Sequence, residues 1–288
     1  MTVAIVTDST AYLTQEEREK YNIHMIPLSV TLEDGVFEEE VEMFSEQFYE
    51  KVRNSNVFPK TTQPPIGKFV ELFETLQKEH DEVICIHLSS GISGTYQGAL
   101  QAANMVEGIQ VHAFDSEISC APQGYYAIQA AKMAQAGKSS AEILQVLEEI
   151  KKVSKAYFIV DDLSHLQRGG RLSSAAALVG GLLQIKPVLH FKDKVIVPFE
   201  KIRTKKKAIA RVEALLKEDA EKYDRLYGMV IHANREEEGK AWMASLSEKF
   251  PNVKFQLSYF GPVIGTHLGE GSLGLGWVPV NENTSFEK

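Results

Sequence analysis

The chain has 288 residues, 44% hydrophobic and 24% charged, which suits about two packed domains rather than a disordered or fibrous chain. Its 31 basic and 39 acidic residues leave a net charge of −8, which argues against a general binder of nucleic acid. Two cysteines, Cys85 and Cys120, are too few for a disulfide framework and too far apart for a CxxC motif, and the histidines lack metal-ligand spacing, so no metal is expected.

Met1 leads directly into Val3-Ala4-Ile5-Val6 without a basic lead or a long apolar core, and no stretch approaches the ~20 apolar residues of a membrane span. The expectation is a cytoplasmic protein with at most transient membrane contact.

In chain order, Val3–Thr7, Met25–Val30, Val83–Leu88 and Val111–Phe114 are short, apolar and rich in β-branched residues, which predicts strands. Ser45–Val52, Ile66–His80 and Thr95–Ala103 carry helical spacing between them; Phe69, Leu72, Phe73 and Leu76 share one face. This alternation predicts a parallel sheet covered on both faces. A helix over Ser139–Lys152 opens on a serine cap and ends in lysines.

From Ala156 the pattern changes. Strands are predicted at Ala156–Val160, Pro187–Phe191, Val195–Val197, Gly228–Ala233, Lys254–Tyr259 and Gly274–Val280, with helices at Lys205–Leu216 and Glu237–Lys249. Lys192-Asp193-Lys194 reads as a hairpin turn. The expected division is 1–155 for the first α/β domain and 156–288 for a second with a mixed sheet.

The segment His87-Leu88-Ser89-Ser90-Gly91-Ile92-Ser93-Gly94-Thr95-Tyr96 follows a strand and enters a helix. Backbone N–H groups and hydroxyls at a helix amino terminus, beyond the carboxyl end of a strand, form a natural seat for a carboxylate or phosphate. Gly91-Ile92-Ser93-Gly94 also approaches the G-x-S-x-G nucleophile elbow, but Thr95 stands where the last glycine belongs. That leaves a serine hydrolase or acyltransferase, using Ser93 and His267 with Asp8, as an alternative.

Other segments invite bland readings. Thr61-Thr62-Gln63-Pro64-Pro65 reads as a helix start, and Thr7-Asp8-Ser9-Thr10 as a cap. Arg168-Gly169-Gly170-Arg171 can present cations to an acidic ligand, and the apolar run Ser174–Ile185 must be buried in a tunnel or an interface. Lys201–Lys207 is a basic cluster that could dock a partner, which leaves a regulatory or scaffold role open. His267 lies among glycines that let a ligand or backbone come close; Gly269, Gly271 and Gly274 fit G-x-G-x-x-G only formally, because a strand follows.

Together these segments resemble the DegV family of bacterial fatty-acid-binding proteins. The resemblance rests on Thr7-Asp8-Ser9-Thr10, Thr61-Thr62-Gln63-Pro64, Leu88–Tyr96, Gly169-Gly170-Arg171, Lys186-Pro187, Arg203-Thr204 and His267, which occur in the family's order; Thr62 replaces the commoner serine but keeps the hydroxyl. The resemblance implies a two-domain α/β fold, a three-layer parallel sheet followed by a mixed sheet, with one long-chain fatty acid in a tunnel between them. It further implies a carrier rather than an enzyme, with no cofactor. The lipid's carboxylate would be presented to a separate ATP-dependent fatty-acid kinase, and the acyl phosphate would feed phospholipid synthesis. By position, Thr61, Thr62, Ser93, Gly94 and His267 would hold the carboxylate, with Arg171 and Arg203 at the phosphoryl-transfer and kinase-docking mouth.

Overall fold

The computed structural model describes residues 2–172 and 186–285. Strands β1 (Val3–Asp8), β2 (Ile23–Ile26), β6 (Glu82–His87) and β7 (Gln110–Asp115) form a wholly parallel sheet in the order β2-β1-β6-β7. Alternation along β1 decides its layers. Ala4 and Val6 pack with Phe69 and Phe73 of α3 (Ile66–Leu76) and Ala99 of α4 (Thr95–Ala103). Ile5 faces the other way, toward a core shared with Tyr126 and Ala127 of α5 (Cys120–Gln135) and Ile143 and Leu147 of α6 (Ser140–Val153). The result is the three-layer arrangement expected of a parallel sheet.

Local chemistry fixes the helix ends. Capping boxes of Thr14 with Glu17 and of Ser139 with Glu142 start α1 (Gln15–Tyr21) and α6, each satisfying two otherwise orphaned N–H groups.

Met25–Val30, expected as one strand, is split. After Ile26 the chain leaves the parallel sheet through Pro27 and enters β3 (Ser29–Leu32), which lies antiparallel between β4 (Gly35–Glu38) and β5 (Lys60–Thr62) in a three-stranded sheet. Proline has no N–H to continue a ladder, and apolar residues on both sides conceal the break. Thr61 and Thr62, read as a helix start, are strand residues paired with Val30 and Ser29.

The second sheet begins with β8 (Lys155–Ile159) and runs β10-β9-β8-β13-β11-β12. Its strands are β9 (Val188–Lys192), β10 (Val195–Glu200), β11 (Leu226–His232), β12 (Val253–Tyr259) and β13 (Leu273–Pro279). Only β11 and β12 pair in parallel, so the sheet is mixed. One face is covered by α8 (Lys205–Ala220) and α9 (Glu236–Lys249), through Val212, Leu216, Trp242 and Leu246. From the other face Phe158, Met229, Ile231 and Val278 join the core that contains α5. A Cβ on Gly276 would come within 2.8 Å of Pro122, so the glycine lets α5 lie directly on β13.

Ser164–Arg168 forms α7, α2 spans Ser45–Asn54, and Pro262–Leu268, a glycine-rich stretch given no element from sequence, is a seven-residue helix, α10. The apolar run over 174–185 lies outside the described residues. Among those described, no helix is long and apolar enough to cross a membrane.

Candidate functional site

A cavity of about 290 Å³ lies between the parallel sheet and the six-stranded sheet. Its walls are mainly apolar: Leu28, Leu88, Ile118, Phe158, Phe191 and Ile231 come from both sheets and the loops after them. Its polar lining comprises Thr61, Thr62, Gln63, Ser93, Ser119, Arg171 and His267. A larger groove of about 700 Å³, between α1, α5 and β12, mixes charged residues (Glu16, Glu17, Lys20, Lys132) with apolar ones such as Leu13 and Ile128 and is the more polar of the two.

Most of the polar residues form one connected cluster. Thr61 Oγ1 lies 2.8 Å from His267 Nε2. A Cβ on Gly169 would sit 2.2 Å from His267 Nδ1, so this glycine lets the α7 turn close over the ring. Arg171 extends from that turn and donates to Gly169 O at 2.6 Å and to Ile92 O at 3.0 Å, which brings it beside Ser93. On the far side, the Gln63 side chain lies against Gly94, where a Cβ would come within 1.9 Å of Gln63 Oε1.

The electrostatics suit an anionic guest. Burial first, then the nearby Arg171 and His165, push His267 down to about 3, so its imidazole is neutral at pH 7. Its buried Nδ1 has no hydrogen-bond partner among the described residues. Arg171 is half-buried, spends its bonds on two carbonyls, and has no carboxylate partner among the described residues. A cation in such a place is costly unless an anion joins it.

The hydroxyl loop divides into two kinds of residue. Ser89 Oγ donates to Lys194 O at 2.6 Å, and Ser90 Oγ donates to Asp115 Oδ2 at 2.5 Å. Ser89 braces the loop against the β9–β10 turn, where Asp193 and Lys194 hold positive φ, and Ser90 braces it against the end of β7. Ser93 is different: it lines the cavity, its hydroxyl lies 2.8 Å from Thr95 Oγ1, and it stands just before α4. Gly94 is the cap residue of that helix, so the first free N–H groups of α4 border the polar end.

Of the residues expected at the site, Thr61, Thr62, Ser93, Gly94, Arg171 and His267 all line this cavity. Arg203 does not; it lies exposed just before α8, where its neighbour Thr204 caps the helix by accepting from Lys207 N. Asp8, His267 and Ser93 do not assemble into a relay. Asp8 accepts from His87 Nδ1, Leu88 N and Thr10, while His267 pairs with Thr61 and Ser93 with Thr95. The lining at 118–122, including Cys120, gave no sequence signal. Burial pushes the Cys120 thiol up, which disfavours the nucleophilic thiolate. No cluster of three metal-ligating side chains occurs among the described residues.

An apolar cavity with a polar cluster at one side, between a parallel and a mixed sheet, has the chemistry to take an amphipathic acid. The family model "Uncharacterised protein, DegV family" matches residues 2–280. The chain is 58% identical over 278 residues to Protein DegV of Bacillus subtilis, covering 96% of this chain and 99% of the relative. A solved structure described as DegV, a fatty acid binding protein from Bacillus subtilis, superposes with a TM-score of 0.93 at 56% identity, covering 97% of this chain and all of that one. Another, described as fatty acid binding of a DegV family protein from Thermus thermophilus, gives 0.90 at 29% identity, covering 97% and 100%. The chain belongs to the DegV family.

Proposed function

We propose that this protein is a cytoplasmic carrier that holds one long-chain fatty acid in the 290 Å³ cavity and has no turnover of its own. The observation that carries the reading is the cluster of Thr61, Ser93, Arg171 and His267 set against otherwise apolar walls. The relatives described as fatty-acid-binding proteins support it.

Each buried CH₂ contributes ~0.8 kcal/mol, so a 16-carbon chain supplies on the order of 10 kcal/mol. Lost translational and chain freedom offsets part of this and leaves enough for tight binding. Thr61, Thr62, Ser93, Gly94 and neutral His267 hold the carboxylate through hydrogen bonds, with Arg171 supplying the nearby positive charge. A carboxylate held mainly by neutral donors stays nucleophilic toward the γ-phosphate of ATP. In this reading a separate ATP-dependent kinase docks on the side of Arg171 and Arg203, and the acyl phosphate it forms feeds phospholipid synthesis. The chain divides near residue 155, with the lipid between its two units.

Incubation of lipid-loaded protein with ATP tests the division of labour. Acyl phosphate is expected only when a fatty-acid kinase is added; formation by the carrier alone would overturn it.

A further inference from the structure

His267 belongs to the part of the chain that follows β8, yet its helix is held from the other side. The Glu39 carboxyl is fully buried beyond the end of β4, outside the cavity lining. Its Oε1 accepts from Val263 N of α10 at 2.7 Å and from the Tyr12 hydroxyl at 2.9 Å, and its Oε2 lies 2.5 Å from Ser9 Oγ. Tyr12 Oη in turn accepts from Ile264 N at 3.3 Å. Two of the first N–H groups of α10, which no residue within the helix can satisfy, therefore end on Glu39 and Tyr12.

The fit around this contact is tight. A Cβ on Gly261 would lie 2.3 Å from the Tyr12 ring, and one on Gly265 would lie 2.4 Å from Tyr49 Oη. The Tyr49 hydroxyl donates to Phe260 O at 2.8 Å, just ahead of the helix. Every residue of α10 is buried. With one end fixed this way, the helix has a single seat, and that seat decides whether the His267 ring meets Thr61.

We infer that Glu39 is a positioning residue of the polar cluster: by holding Val263 and Tyr12 it fixes α10 so that His267 Nε2 meets Thr61 Oγ1 at the head of the cavity. The inference rests on the proposed fatty-acid reading for its affinity readout and on the His267 ring itself for a second, independent readout. Burial pushes the carboxyl up to about 8, so it is largely neutral at pH 7 and a glutamine amide is a fair replacement.

The test compares E39Q with E39L in delipidated protein, using palmitate titration and the ¹⁵N signals of the His267 ring. E39Q should bind palmitate within about threefold of wild type, because its amide oxygen still meets Val263 and Tyr12. E39L should bind at least tenfold more weakly, and its His267 signals should move toward those of an imidazole free of Thr61. If E39L fails to fold, Y12F carries the same test, since it removes one donor to Glu39 and the acceptor for Ile264 N. Wild-type affinity and unchanged His267 signals in E39L, or in Y12F where that is used, would overturn the inference. Equal losses in E39Q and E39L would also overturn it, by showing a need for the charge or for general packing. Failure of wild-type protein to bind palmitate would count against the carrier reading, while the ring signals would still decide the role of Glu39.

Discussion

Thr61 Oγ1 and His267 Nε2 meet at 2.8 Å across 206 residues of sequence, joining an edge strand of the three-stranded sheet to the helix that precedes β13. This contact ties the two halves of the chain together at the polar end of the cavity. It also gives the imidazole a defined direction beside Arg171 and the α4 amino terminus.

Ser93 is the hydroxyl of the loop that faces the cavity, whereas Ser89 and Ser90 brace it. A hydrogen bond to a charged group contributes about 1.5–3 kcal/mol, so Ser93→Ala should weaken fatty-acid binding more than tenfold. Calorimetric titration of delipidated protein measures this, and unchanged affinity removes Ser93 from the site.

Arg171 supplies positive charge where the acyl headgroup is expected, with no carboxylate partner among the described residues. Wild type should prefer palmitate to its uncharged methyl ester. Arg171→Met should erase most of that preference while leaving ester binding within a fewfold. Competition binding of the two ligands reads the ratio directly.

His267 is held neutral, with its pKa lowered to about 3 from an ordinary value near 6.5. The unfolded chain therefore binds a proton that the folded chain refuses. The stability contributed is fully present above about pH 6.5 and is lost as pH falls toward 3. His267→Gln should flatten this part of the melting-temperature profile between pH 6.5 and 4, and an unaltered slope would refute the assignment.

Glu39 acts in the opposite direction. Burial raises its carboxyl to about 8, so the folded protein keeps a proton that the unfolded chain releases near 4.5. Its contribution is full below about 4.5 and is lost as pH rises through 8. Above about pH 6.5, where His267 no longer opposes it, melting temperature should decline toward pH 8, and E39Q should decline less. Parallel profiles would show that Glu39 does not titrate there.

The parts of the fold that show in sequence are those with one-sided burial or clean strand runs. β1, β6 and β7 appear as β-branched runs, and α3 shows a single apolar face through Phe69, Phe73 and Leu76. By contrast, α5 is buried on nearly every side between two sheets, so small and apolar residues surround it and no period emerges. Gly261, Gly265 and Gly269 hide α10, although the first two are needed for its approach to Tyr12 and Tyr49.

The site shows the same contrast. The strand–loop–helix around Ser93 is a local pattern with local chemistry. The Glu39–Val263 contact is not, because it spans 224 residues and depends on how two sheets meet. Likewise, Thr62 and Arg203 carry equal weight as motif residues, but Thr62 borders the cavity and Arg203 stands outside its lining.

The central claim is that the cavity holds a fatty acid, and the most direct test is denaturing extraction of the purified protein followed by mass spectrometry of the released small molecules. The account predicts near-stoichiometric fatty acid, roughly C14 to C18 as the resemblance to the DegV family implies, with apolar burial supplying the affinity. An empty cavity that also fails to take up added fatty acid would contradict it.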